Sequence, residues 1–274
     1  VSAVCVTGLS TVDVSTYWTP FGHLMILLMI KLGGFGIITF ALFLGILLAR
    51  RIGLNSRIVG SAEMPGMDGG NPRRLILKLF IATSSFEFIV ATFVACRLWL
   101  GYGYDLPDAI WYGIFHAVSA FNNAGFALYS DSLMGFAADG WMLMPLNFAV
   151  IIGGLGFPVL FELGRRIIGR VKASQIGGVI ESALHWTLST RLVLWSTLVL
   201  LTFGTLYFAF IEWNNPATIG DMGFGEKLLN SFTQSVQPRT AGFNSVDLGQ
   251  VYPATLMGMD LLMFIGGGSA STAG

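Results

Sequence analysis

The chain has 274 residues, of which 54% are hydrophobic and 11% charged, and its 15 basic residues balance its 15 acidic ones. Because soluble domains usually carry about 25% charged residues, this composition excludes an ordinary water-soluble protein and predicts an integral membrane protein surrounded by the lipid bilayer. Zero net charge gives no electrostatic reason to expect nucleic acid, and two cysteines are too few for a disulfide framework or a thiolate metal site.

Apolar stretches long enough to cross about 30 Å of hydrocarbon as α-helices recur along the chain. In chain order they cover residues 21–48, 75–100, 140–161 and 191–211, and a further one begins near Thr255. The sequence therefore predicts an all-α membrane protein that crosses the bilayer several times.

The connections between these spans differ in charge. Most basic residues follow the first and third spans, namely Arg50, Arg51, Arg57, Arg73, Arg74, Lys78, Arg165, Arg166, Arg170, Lys172 and Arg191. The other connections are mainly acidic, with Asp105, Asp108, Asp131, Asp139, Glu212, Asp221, Glu226 and Asp247. Since positively charged loops stay on the cytoplasmic side, we expect the basic connections to be cytoplasmic and the acidic ones to face outward.

Each acidic connection also contains a helix too short to span the membrane. One is predicted over residues 109–121, with Asp108 as its cap, and the other over 225–236, with Glu226 in its first turn. A polar stretch that contains glycine follows each helix and leads into the next span. This arrangement is typical of a re-entrant pore helix and loop.

A glycine in these loops recurs at a fixed period. Gly8, Gly125 and Gly242 are separated by 117 and 117 residues, and the Val-Ser-Ala sequence at residues 1–3 recurs at 118–120. The repeated unit is an outer span, a pore helix, a glycine loop and an inner span, always in the same membrane orientation.

This period divides the chain into about two and a half repeats. Residues 1–48 hold the end of repeat 1, 75–163 hold repeat 2, and 191–274 hold repeat 3, whose inner helix is cut short; residues 49–74 and 164–190 are cytoplasmic linkers. We expect the outer span of repeat 1 to be missing, because only seven residues precede its glycine, and repeat 4 to be absent.

The three glycine loops have the chemistry of a cation filter. Short helices that point inward direct the partial negative charge of their C-terminal ends at a central axis. Glycine permits backbone angles that turn carbonyls toward this axis, and rings of carbonyls can replace the hydration shell of K⁺. The predicted ion-binding residues, which act through backbone carbonyls only, are Val6, Thr7, Gly8, Asn123, Ala124, Gly125, Thr240, Ala241 and Gly242.

A second glycine cluster follows in each inner span, at residues 33–36, 153–156 and 266–269. Small residues let membrane helices pack closely, so close packing and a functional role both remain open for these clusters. The third continues as a run of poor helix formers that could break the inner helix into a loop below the filter. The predicted gate residues are Gly266, Gly267, Gly268, Ser269, Ala270, Ser271 and Thr272.

Four strings resemble the Trk/Ktr/HKT superfamily of potassium transporters, in particular its bacterial Ktr/Trk membrane subunits. They are TGLSTVD at 7–13, NNAGF at 122–126, RTAGFNS at 239–245 and GGGSASTAG at 266–274. The resemblance implies a channel-like, pseudo-fourfold pore in the cell membrane with one filter glycine per unit and a gating loop in the third inner helix. It also implies a homodimer and a cytosolic ring of nucleotide-binding regulatory subunits. A serine at the first filter glycine accompanies sodium selectivity in that family, so Gly8 favours potassium.

A few polar residues have two interpretations each. A lysine in mid-bilayer costs about 2.5–3.5 kcal/mol, so we expect Lys31 to pair with Glu87, with modulation of ion passage as the alternative. Arg239 either braces its loop or tunes cation access through its charge. Asp13 and Asp247, five residues after their glycines, either cap the next helix or concentrate cations.

The leading functional hypothesis is potassium uptake through this filter, with Na⁺ as the alternative ion and no cofactor in this chain. A cation-coupled active carrier and a non-conducting membrane scaffold remain alternatives. The sequence offers no nucleophile with a suitable base, and its three histidines share no ligand spacing. We therefore expect neither an enzyme nor a metal centre.

Overall fold

The computed structural model describes residues 1–51, 72–176, 186–268 and 271–272. Within these ranges all regular secondary structure is helical, in agreement with the predicted fold class. The helices are α1 (Val14–Tyr17), α2 (Pro20–Arg51), α3 (Pro72–Tyr102), α4 (Leu106–Phe121), α5 (Gly140–Leu155), α6 (Phe157–Ile176), α7 (Leu188–Glu212), α8 (Phe224–Val236) and α9 (Pro253–Ile265), with a 3-10 helix at Met134–Phe136.

Two of the described helices are long and apolar enough to cross a membrane without a break. They are the Leu79–Tyr102 part of α3 and the whole of α7, which correspond to the second and fourth predicted spans. Large apolar side chains on them face outward, among them Phe88 and Phe210. Such an extended exposed apolar surface indicates contact with lipid.

The third predicted span, over residues 140–161, is not one straight helix. Helices α5 and α6 together have the length and hydropathy of a span, but they meet at an angle of 103°. Gly156 between them has φ +89°, a left-handed conformation suited to glycine. Pro158 follows, and it lacks the N–H that a continuous helix would need. The apolar stretch predicted at residues 140–161 therefore forms two helices that meet at a bend.

The inner-span glycines allow the inner helices to approach the backbone that leads into the glycine loops, a turn in repeat 1 and the end of α4 in repeat 2. A Cβ atom on Gly33 would lie 2.0 Å from the carbonyl oxygen of Val4, and one on Gly153 would lie 1.9 Å from that of Phe121. Val4 and Phe121 are one repeat apart, so the two contacts are equivalent. Close packing accounts for both of these glycines.

The two predicted pore helices are α4 and α8. Helix α4 begins at Leu106, earlier than predicted, and Asp105 occupies the N-cap position while Asp108 lies in the first turn. The prediction of Asp108 as the cap was thus wrong, because Pro107 fits the first turn of a helix and moves its start forward. Glu226 lies in the first turn of α8 as predicted, and its Oε2 accepts from the N–H of Gly223 at 2.9 Å.

The predicted division into repeats and linkers stays a prediction. Helix α2 continues to Arg51 and α6 to Ile176, so both run into the predicted linkers. Much of the first linker and part of the second lie outside the described residues.

Candidate functional site

The structure places the three glycine loops next to one another; we call residues 6–8, 123–125 and 240–242 segments 1, 2 and 3. A Cβ atom on Gly8 would lie 2.5 Å from the carbonyl oxygen of Ala124. A Cβ atom on Gly125 would lie only 1.9 Å from that of Ala241. Segment 1 therefore contacts segment 2, and segment 2 contacts segment 3, at positions that admit no side chain.

The backbone of the three segments follows one pattern. In each segment the first and third residues have positive φ and the middle residue does not. The positive values are 54° at Val6, 74° at Gly8, 56° at Asn123, 69° at Gly125, 89° at Thr240 and 91° at Gly242. A positive φ is uncommon outside glycine, so its recurrence at three equivalent valine, asparagine and threonine positions indicates that the repeat imposes this backbone.

Main-chain hydrogen bonds hold the segments to the turn or pore helix that precedes them. Repeats 1 and 2 have the same two bonds at equivalent positions. The N–H of Cys5 donates to the carbonyl of Val1 (2.9 Å), and the N–H of Asn122 donates in the same way to Val118 (3.1 Å). The N–H of Thr7 donates to the carbonyl of Ser2 (3.0 Å), and the N–H of Ala124 donates in the same way to Ser119 (2.8 Å). In repeat 3 the amides of Ala241 and Gly242 both donate to the carbonyl of Gln237, at 3.0 Å each. Segments 2 and 3 thus lie at the C-terminal ends of α4 and α8, where the helix dipole is negative.

A buried ionic network supports segment 2. The Nζ of Lys31 lies 2.5 Å from Oε2 of Glu87, which confirms the predicted pair. The other carboxylate oxygen of Glu87 accepts from the side-chain amide of Asn122 at 2.9 Å, and Asn122 immediately precedes the segment. The cost of a charge in the membrane predicts a partner for Lys31, but nothing in the sequence indicates that Asn122 joins the pair.

A neutral amide network supports segment 3 instead. Gln237, at the end of α8, donates from Nε2 to Oδ1 of Asn147 at 2.8 Å, and its Oε1 accepts from the N–H of Phe243 at 3.3 Å. Asn147 on α5 donates in turn to the hydroxyl of Thr233 at 2.8 Å. Sequence reasoning missed this network; the available signal was a lone asparagine within the apolar span of α5.

Arg239 connects segment 3 to the start of the predicted gate. Its Nε donates to the carbonyl of Gly266 at 3.2 Å, and a terminal guanidinium nitrogen lies 3.4 Å from the hydroxyl of Thr197 on α7. These are the contacts expected of a brace.

The described part of the predicted gate is not helical. Helix α9 ends at Ile265, and Gly266 has φ +65°. The N–H groups of Gly268 and Thr272 then donate to the carbonyls of Gly154 (2.7 Å) and Gly153 (3.2 Å), which lie at the end of α5.

The same stretch also contacts the pore helix before segment 2. The Thr272 hydroxyl donates to the carbonyl of Phe121, the last residue of α4, at 2.9 Å. Ser271 and Thr272 are buried, Gly267 is exposed, and the predicted gate residues Ser269 and Ala270 lie outside the described residues.

The two aspartates after the glycines have different local roles. Asp13 caps α1 as predicted, because its carboxylate accepts from the N–H of Ser15 at 2.8 Å. Hydrogen bonds from Ser130 and then from Ser15 lower the pKa of Asp13 to about 2. Asp247 accepts from the N–H of Gly249 at 2.8 Å and so closes a turn; the prediction that it caps a helix was wrong.

The described histidines serve local structure. Nδ1 of His116 lies 2.7 Å from the carbonyl of Tyr112, and its Nε2 lies 3.3 Å from the N–H of Leu128. Nε2 of His23 lies 2.7 Å from the carbonyl of Val14, and His185 is outside the described residues. Across the part of the chain that the structure describes, no group of three or more histidine, cysteine or acidic residues could hold a metal ion.

Comparison with known proteins gives consistent matches. The family model TrkH, described as a cation transport protein, matches residues 1–274. The Ktr system potassium uptake protein B of Bacillus subtilis (strain 168) is 39% identical over 272 residues, which are 99% of this chain and 58% of that protein. The potassium/sodium uptake protein NtpJ of Enterococcus hirae is 34% identical over 277 residues, covering 100% of this chain and 57% of NtpJ.

A solved structure matches the fold. The crystal structure of the potassium transporter TrkH from Vibrio parahaemolyticus aligns with a TM-score of 0.62 at 20% sequence identity, covering all of this chain and 50% of that one. The chain thus spans little more than half the length of the two uptake proteins named above.

Proposed function

Because the chain belongs to the TrkH family of cation transport proteins, we propose that it forms much of a potassium uptake pathway across the cell membrane. The family consists of transporters and not of enzymes. The observation that carries the proposal is the three equivalent segments with their shared left-handed backbone, which lie side by side. Non-glycine residues hold such a conformation, at a cost of about 1–3 kcal/mol each, only where the surroundings enforce it, and such sites are often functional.

The segments supply the groups that a dehydrated K⁺ needs. Gly8 and Gly125 have no side chains, so the carbonyl oxygens of Ala124 and Ala241 come close to the backbone of these two glycines. Carbonyl oxygens are the ligands of potassium filters, and the C-terminal ends of α4 and α8 add partial negative charge. Na⁺ is the alternative ion, because one relative is named as a potassium/sodium uptake protein.

The stretch from Gly266 to Thr272 is the proposed gate. A helical residue 158 would normally donate to the carbonyl of Gly154, but Pro158 has no N–H to give. The N–H of Gly268 donates to the carbonyl of Gly154 instead, at 2.7 Å. The stretch thus supplies the hydrogen bond that this carbonyl lacks because of the bend between α5 and α6. Because hydrogen bonds and not covalent continuity hold it there, the stretch can detach without unfolding a helix.

The proposal extends to the orientation and the partners of the chain. The basic connections face the cytoplasm and the segments face the outside. The Bacillus subtilis relative is named as protein B of a Ktr system, which implies further components. In line with the resemblance noted from the sequence, we propose a homodimer that works with a cytosolic ring of nucleotide-binding subunits.

Potassium uptake by the full-length protein tests this function. In cells that lack other potassium uptake, the protein restores growth at low K⁺ and takes up a radioactive K⁺ tracer. Gly125→Ala abolishes uptake, because the new Cβ meets the Ala241 carbonyl at 1.9 Å and φ is +69°. The matched control is Gly164→Ala, since a Cβ there meets nothing within 4 Å and the residue is helical.

The outcomes separate the hypotheses. Uptake that both variants retain at equal amounts of membrane protein contradicts the filter assignment. A strictly stoichiometric flux with a second cation indicates the carrier, and no uptake by the parent indicates the scaffold.

A further inference from the structure

Two side chains at equivalent repeat positions touch across the junction between segments 2 and 3. Asn123 and Thr240 are 117 residues apart, and the amide of Asn123 lies 2.9 Å from the hydroxyl of Thr240. We propose that this contact is a specificity-determining link, which sets the spacing of the two segments and thus the size of the cation site between them. The inference rests on the proposed function, because it concerns the ion choice of the same filter.

The hydrogen-bond partners of Asn123 fix the direction of this link. In the amide orientation that satisfies every partner, the Thr240 hydroxyl donates to Oδ1 of Asn123. The amide nitrogen then donates to the carbonyls of Val150 and Ala120, at 3.2 Å each. Asn123 is fully buried, and α5 and the end of α4 therefore hold its side chain in place. A rigid acceptor on segment 2 thus determines where segment 3 can lie.

Thr240 makes this contact from an unfavourable backbone conformation. Its φ is +89°, where a β-branched residue is a genuine outlier. Asparagine is among the residues that tolerate the left-handed region, so Asn123 at φ +56° is under less strain. Glycine would fit at residue 240 without this cost. Glycine would, however, lack the hydroxyl with which Thr240 reaches Asn123.

The junction between segments 1 and 2 provides an internal comparison. The residue equivalent to Asn123 and Thr240 in segment 1 is Val6, which has no polar side-chain group. The distance between the backbones differs accordingly. A Cβ atom added to Gly8 would lie 2.5 Å from the carbonyl oxygen of Ala124 in segment 2, whereas one added to Gly125 would lie 1.9 Å from that of Ala241 in segment 3. The backbones are closer at the junction that has the side-chain link, as a spacing role requires.

Ion selectivity of the full-length protein tests the link, measured as the ratio of K⁺ to Na⁺ uptake in competition. Thr240→Val keeps the β-branched shape and removes the hydroxyl, and Asn123→Gly removes the acceptor while it accommodates the left-handed backbone. We expect each to lower the ratio about fivefold, the equivalent of a hydrogen bond of about 1 kcal/mol. Thr240→Ser restores most of the ratio, because it keeps the donor.

A double-mutant cycle separates a link from two independent effects. If the two side chains act through each other, Asn123→Gly with Thr240→Val is no less selective than either single variant. If the losses multiply, or if Thr240→Val alone keeps the parental ratio, the proposal is overturned. The matched control is Thr202→Val on the exposed face of α7, whose hydroxyl bonds only the carbonyl of Leu198 at 2.8 Å.

The same assay distinguishes failure of the inference from failure of the function. A parent protein that takes up no K⁺ contradicts the proposed function. A parent that transports K⁺ selectively, with variants that match it, contradicts only the link. Asn123→Gly relieves backbone strain, so its ratio of K⁺ to Na⁺ uptake can be measured even if the Thr240→Val protein does not reach the membrane.

Discussion

Segments 2 and 3 have the same backbone but different supports. A charged network that includes Lys31 and Glu87 holds segment 2 through Asn122. Segment 3 depends on the neutral amides of Asn147 and Gln237. The repeat therefore conserves the main-chain conformation of the segments, while the side chains behind them vary between repeats.

This difference has an energetic consequence. A buried ion pair contributes little net stability, because desolvation offsets much of the attraction, but the loss of one partner leaves an uncompensated charge. A neutral amide that loses its partner leaves only an unsatisfied polar group, which costs less. We therefore expect segment 2 to be more sensitive than segment 3 to the loss of a single supporting side chain.

The largest expected effect follows from Glu87→Ala. The substitution leaves Lys31 without its carboxylate and Asn122 without its acceptor, at a cost of about 3–5 kcal/mol for a broken buried pair. The midpoint of thermal unfolding in detergent falls strongly, and less protein reaches the membrane.

The matched control for this prediction neutralises both charges at once. Lys31→Gln combined with Glu87→Gln leaves no unpaired charge, and the glutamine at 87 can still accept from Asn122. Its unfolding midpoint therefore lies well above that of Glu87→Ala. Equal midpoints would show that the charge of the pair is irrelevant to segment 2.

The elements that could be predicted from the sequence are those marked by a long apolar stretch or by the internal repeat. The spans, the pore helices and the alignment of Gly8, Gly125 and Gly242 follow from hydropathy and period alone. The 103° bend at Gly156 was not predictable with the same certainty, because the glycine clusters in the inner helices look alike in sequence. Gly33 stays within a helix, whereas Gly156 and Gly266 end one.

The side-chain networks behind the segments were harder to predict. Lys31 could be paired from the cost of a charge in the membrane, because few partners are available there. The contacts of Gln237 and Thr240 join residues about 90 and 117 positions away, and their neutral groups carry no comparable penalty that would demand a partner. Only the three-dimensional arrangement reveals them.

A smaller effect is expected from Asn147→Leu, which removes the partner of Gln237 and Thr233 behind segment 3. The buried Gln237 amide loses its acceptor, while the Thr233 hydroxyl keeps its bond to the Leu229 carbonyl. An unsatisfied buried donor costs about 1–3 kcal/mol, so thermal unfolding shifts less than for Glu87→Ala. Asn214→Leu, at an exposed position, is the matched control and leaves the midpoint nearly unchanged. A shift for Asn147→Leu as large as that for Glu87→Ala would contradict the difference between the two segments.

The smallest effect on stability is expected at Arg239, where the change in transport is more informative. Its hydrogen bonds to Gly266 and Thr197 are long, at 3.2 and 3.4 Å, so their loss in Arg239→Met costs about 1 kcal/mol or less. If the proposed gate obstructs the pathway and Arg239 holds its first residue, the variant raises K⁺ uptake by about two- to fivefold.

Arg239→Lys separates the brace from the charge. Lysine keeps the positive charge but not the planar fork of donors that reaches both Gly266 and Thr197. If Arg239 acts as a brace, the lysine variant takes up K⁺ as fast as the methionine variant does. If the positive charge limits cation access, the lysine variant behaves like the parent. The second result would assign the hold on the proposed gate to its bonds with Gly153 and Gly154 at the end of α5 and with Phe121 at the end of α4.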